Sequence, residues 1–116
     1  VTHTCQDFDH CGGCHWQHLS ITSQRQWKQQ IVAECLQRAA GIKNPPLSPI
    51  LSTENSLHYR NKIVWQVVPA SDSKQIQLGL ATKNTHDVVP ITTCWIVPDA
   101  FNQLKTMLTD FLNALD

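Results

Sequence analysis

Cys5, Cys11 and Cys14 stand in a C-x5-C-x2-C pattern, and a fourth cysteine, Cys94, follows far along the chain. Three near thiols and one remote thiol can converge on a metal. Four thiolates satisfy tetrahedral zinc, and they also satisfy a [4Fe-4S] cube, in which each iron takes one sulfur. Spacing alone leaves both open, because His3, His10, His15 and His18 lie close enough to replace a thiol on zinc. Gly12 and Gly13 let the backbone bend tightly between two ligands and bring its N–H groups near the sulfurs. A Cys11–Cys14 redox disulfide is the weaker expectation, since no strand leads into it as in thioredoxin-like sites. Trp16 and Trp95 are expected to shield the sulfurs from water.

The elements that must position these thiols follow from periodicity. Residues 1–20 show none and read as a loop around the metal. Residues 22–40 read as an amphipathic helix, with Trp27, Ile31, Val32, Cys35, Leu36, Ala39 and Ala40 on one stripe. Cys35 is therefore expected to be a small buried hydrophobe rather than a ligand. Ser20, Thr22 or Ser23 can cap the start, and Gly41 suits the end. Pro45, Pro46 and Pro49 enforce an extended connector. Residues 57–93 read as antiparallel strands. The first, 57–68, would put Tyr59, Ile63, Trp65 and Val67 on one face; the second runs over 75–82 and the third over 88–93. Residues 98–115 read as a closing helix with Phe101, Leu104, Met107, Leu108, Phe111, Leu112 and Leu115 on its apolar stripe. The expected class is α+β, a small antiparallel sheet flanked by helices.

Composition sets the bounds. At 116 residues, with 41% hydrophobic and 16% charged, the chain has the make-up of one folded domain. Nine basic residues balance nine acidic ones, so charge alone would not hold nucleic acid. No apolar run reaches the roughly 20 residues of a membrane span. The start, Val1-Thr2-His3-Thr4, has neither an initiator Met nor a leader pattern, and reads as cut from a longer chain. Five cysteines form an odd set, which favours a reducing cytoplasm over a disulfide scaffold.

Across nearly its whole length the pattern resembles the iron–sulfur class of 5-methyluridine RNA methyltransferases, which modify uridines in ribosomal RNA. The residues that carry the resemblance are Cys5, Cys11-Gly12-Gly13-Cys14, Gln17-His18-Leu19, Gln26, Lys28, Tyr59-Arg60-Asn61-Lys62 and Cys94. It implies a [4Fe-4S] cluster on Cys5, Cys11, Cys14 and Cys94. It also implies that this chain is the central cluster-bearing domain. An RNA-binding barrel would precede it, and an S-adenosylmethionine domain with the catalytic cysteine and base would follow. The four glycines include no cofactor-cradling loop, so no methyl transfer by this chain alone is expected. Tyr59, Arg60, Asn61 and Lys62 could stack on a base and hold phosphate, or be an ordinary strand. Without its partner domains the first helix would leave apolar surface open, so self-association about the proline segment 44–49 is expected.

Overall fold

The computed structural model describes residues 5–71 and 73–115; His3 lies outside them. In chain order the elements are α1 (Ile21–Ala40), β1 (Gln66–Pro69), β2 (Ile76–Ala81), β3 (Val88–Pro90) and α2 (Asp99–Asn113). The strands form one antiparallel sheet in the order β1-β2-β3, with Val67 opposite Leu78 and Leu80 opposite Val89. The class is α+β, as the patterning predicts.

The cysteine loop docks on the exit of β2. Cys11 bridges Thr82, Gly12 donates its N–H to the Ala81 carbonyl at 2.9 Å, and Lys83 donates to the His10 carbonyl at 3.1 Å. A Cβ on Gly12 would stand 2.9 Å from the Thr82 oxygen, so only glycine admits this approach. The core lies beside this junction, not on a sheet face. Cys11, Ile91, Cys94, Ile96 and Val97 are buried together, with Cys14, Ile63, Trp65, Leu80, Val89 and Phe101 packed around them. A core built from loops must satisfy its own backbone. Here His58 donates its N–H to Trp95, and Arg60 donates to Ile96.

Three expectations give way. The first strand starts at Gln66 rather than at residue 57, because His58 has a φ of 57° and residues 58–60 bond to the loop 95–96 instead of to a ladder. The single face predicted for it is broken accordingly: Ile63 and Trp65 pack inward, whereas Tyr59 and Val67 are exposed. Helix α1 is capped as expected, by Ser20 Oγ accepting from Ser23 N–H and by Gly41 at φ 67°. Yet no helix or strand packs on it, and none of its residues is buried. Trp27, Ile31 and Val32 are open to solvent, and Cys35 is exposed instead of buried. Glutamine and arginine side chains tie the helix to loops instead. Gln24 donates to the Trp16 and Leu19 carbonyls, Arg25 to Thr53 and Gln29 to Ser48.

The third reversal is in α2, which meets the sheet with polar side chains. Asn113 clasps both backbone groups of Ile76, Asn102 clasps both of Cys94, and Lys105 donates to the Ile91 and Thr92 carbonyls. Phe101 joins the core, but Leu104, Met107 and Phe111 of the expected stripe are half or more exposed. The radius of gyration, 18.6 Å, exceeds the roughly 13 Å of a compact domain this size, as helices with uncovered faces require.

Candidate metal centre

Cys11 and Cys94 are buried in one cluster with half-buried Cys14 packed against it, Cys5 is half-buried, and no disulfide forms among the described residues. Burial pushes the Cys5 thiol above its usual 9.0, and the neighbouring charges of Asp7, Cys11 and Cys94 push it further; only a backbone N–H at Asp7 pulls it down. Burial likewise raises Cys14, with Cys94 and Cys11 adding to the rise, while the Gln17 amide and the Arg60 guanidinium oppose it. Each half-buried thiol thus feels both buried ones.

Two N–H donors point at sulfur. Gly13 N–H lies 3.3 Å from Cys11 Sγ, and Gln17 Nε2 lies 3.3 Å from Cys14 Sγ. Donors of this kind stabilise thiolate over thiol. Among the described residues no group of three or more His, Cys, Asp or Glu side chains is arranged to hold a metal ion. His10, His15 and His18 are exposed, and His18 instead lies against the Phe8 ring, with centroids 5.9 Å apart. The expected shielding is partial: Trp16 is half-buried and Trp95 exposed.

Reagents should discriminate among these thiols. In the metal-free chain, Cys35 should be alkylated first by iodoacetamide at neutral pH, and Cys11 and Cys94 last, because Cys35 is exposed whereas the other two are buried and exposure governs access. Mass spectrometry of timed digests checks the order.

Sequence reasoning missed Asn102 and Lys105, which hold the Cys94 segment to α2. A lysine inside an apolar helical run carried no motif, yet it is only 8% exposed, and its ammonium lies 5.6 Å from the Trp65 ring centroid. Burial pulls its pKa below 10.5, while Asp7 and Cys94 pull it back up. A depressed lysine binds its proton less tightly folded than unfolded. Stability therefore rises as pH climbs from the folded value toward 10.5. Urea midpoints across that window should climb for the native chain relative to Lys105→Met, which has no such proton to lose.

The four residues expected to meet RNA do not share one face. Tyr59, 63% exposed, borders a cleft beside α1, whereas Arg60 and Lys62 border a second cleft beside β2. Asn61 is exposed and lines neither.

No family model matches the chain. Several curated proteins are similar to it over most of its length. An uncharacterized RNA methyltransferase of Synechocystis is 41% identical over 105 residues, 89% of this chain and 22% of its own. One from Nostoc is 38% identical over 112 residues, 97% of this chain and 24% of its own. The 23S rRNA (uracil(1939)-C(5))-methyltransferase RlmD of Shewanella baltica is 30% identical over 115 residues, 99% of this chain and 25% of its own. The chain spans about a quarter of the length of the curated relatives it matches.

Proposed function

This chain is homologous to a stretch of the RNA methyltransferases, and from that premise we propose that it is the cluster-bearing, RNA-contacting part of an enzyme that methylates uracil C5 in ribosomal RNA. The observation that carries the reading is the gathering of Cys94 with Cys5, Cys11 and Cys14, two of whose sulfurs already accept N–H groups from Gly13 and Gln17.

The donor set fits a [4Fe-4S] cluster. Its chemistry asks for four soft thiolates, and thiolates that each take a different iron need not close around a single point. Cys5, Cys11, Cys14 and Cys94 would hold it. Such a group would supply a covalent staple between the N-terminal loop and the segment leading into α2. Methyl transfer from S-adenosylmethionine to an activated uracil moves no net electron, so the reading needs no redox step. The chain's own residues do the rest. Gly12 seats the loop on β2, Asn102 and Lys105 fix the Cys94 segment to α2, and Tyr59, Arg60, Asn61 and Lys62 offer a ring, two cations and an amide to RNA. S-adenosylmethionine and the cysteine that attacks uracil would come from outside these 116 residues.

Iron, acid-labile sulfide and zinc analysis of chain purified without oxygen tests the reading, together with its visible spectrum. About four irons and four sulfides per chain with broad brown absorption are expected. One zinc and no sulfide would make it a zinc module and overturn the cluster.

A further inference from the structure

A cleft of about 750 Å3 opens between the cysteine loop, the start of α1 and the segment 50–59. Its volume lies within the range of sites that take small organic ligands. Its walls set Trp16 and Tyr59 beside Arg25 and Lys28, and none of the described residues lining it is acidic. That segregation is notable in a chain with equal numbers of acidic and basic residues. Lys28 Nζ lies 5.9 Å from the Trp16 ring centroid, and Arg25 is held by one bond of its fork to the Thr53 carbonyl at 3.0 Å. The first turn of α1, which carries no acidic residue, also opens here. Its backbone N–H groups add to the positive potential.

A smaller cleft of about 430 Å3 is lined by Gly12 and Gly13 of the cysteine loop and bordered by Arg60 and Lys62. The two clefts share Gly13, so both reach the cysteine loop at this residue. Aromatic rings beside cations, with Glu54 flanking the cleft but no acidic side chain lining it, match the chemistry of a single-stranded polynucleotide: its bases need a ring to stack on and its backbone needs positive charge. An acidic peptide would use the cations but not the rings. A duplex keeps its bases stacked out of reach.

We propose that single-stranded RNA crosses the cysteine loop from the Arg60–Lys62 cleft into the larger one, where a base is received beside Trp16 and Tyr59 and the adjoining phosphates lie against Arg25 and Lys28. This rests on the RNA-contacting reading above and extends it by a second site on α1.

The test is fluorescence anisotropy of the 116-residue chain with a labelled oligouridylate of about eight nucleotides, titrated at several salt concentrations. Arg25→Gln/Lys28→Gln should bind about ten-fold more weakly at low salt, and the slope of log affinity against log salt should flatten by between one and two. Tyr59→Leu should lose about ten-fold at every salt concentration. Lys74→Gln, which lines neither cleft, should match the native chain, and circular dichroism should confirm that each variant folds. If RNA binds and responds to Arg60→Gln/Lys62→Gln but ignores Arg25→Gln/Lys28→Gln, the second site is overturned while the RNA reading stands. Competition by polyglutamate of equal charge as effective as unlabelled oligouridylate would reduce the cleft to an anion site and also overturn it. Failure of the native chain to bind at low salt would overturn the RNA reading itself.

Discussion

Cys94→Ser should leave anaerobically purified chain with little or no bound iron, whereas Cys35→Ser should keep the native content. The asymmetry follows from placement. Cys94 is 8% exposed, its backbone is clasped on both sides by Asn102, and both Cys5 and Cys14 feel its charge. A serine there presents a hard, protonated oxygen to soft iron, and the remaining thiolates cannot complete the set. Cys35 sits exposed on α1, which no helix or strand covers. Because binding energy at such a site is folding energy, loss of metal should also lower the melting point by tens of degrees relative to the loaded chain. In metal-free chain the same substitution should cost only about 1–3 kcal/mol, the price of burying a hydroxyl. Equal iron loss in the two variants would overturn the ligand assignment.

Gly79→Ala is expected to be the most damaging change that touches no cysteine. Gly79 is buried in the middle of the central strand, and a Cβ there would collide with the Val89 carbonyl oxygen and lie 2.8 Å from Val88 Cγ1. The first of these is backbone, so β3 itself would have to move away from β2, taking Ile91 and the approach to Cys94 with it. A cost of about 3 kcal/mol or more is expected, at the upper end of overpacking effects. For contrast, Gly41→Ala has open space around its Cβ and pays only for the left-handed backbone at φ 67°, about 1 kcal/mol. Urea denaturation of the three chains would check the order. A Gly79→Ala chain as stable as Gly41→Ala would mean that the β2–β3 pairing is looser than its register implies.

The chemistry-bearing residues were legible early because thiol chemistry depends on residue type and spacing. Cys5, Cys11, Cys14 and Cys94 carry the proposed soft-metal set by type and spacing alone. The glycines between the near thiols were legible too, although for two separate reasons. Gly13 offers its N–H to sulfur, but Gly12 is needed for its approach to β2. The helices were legible from periodicity and caps, with α1 beginning one residue earlier than its pattern suggests and α2 lying within 98–115.

What each helix does with its apolar stripe could not be read from the pattern. A stripe records which side chains prefer to leave water, and it carries no information on whether a surface within the same residues is placed to receive them. Neither α1 nor most of the α2 stripe finds one here. Instead α2 is seated by Asn102, Lys105 and Asn113, whose side chains substitute for backbone partners that irregular segments lack. The strand expected from residue 57 fails for a related reason: β-forming residues need a neighbour in register, and at His58 and Arg60 the available neighbour is the loop before α2.

The sequence by itself therefore determined the α+β class and, to within a residue or two, the ends of the helices, because these depend on residue type and local spacing. Only the tertiary structure decided that Cys94 is buried in one cluster with Cys11, that Tyr59 and the Arg60–Lys62 pair border different clefts, and that a buried lysine holds the Ile91–Thr92 segment to α2. Those outcomes depend on which distant backbone groups are left needing a partner, and no local pattern records that.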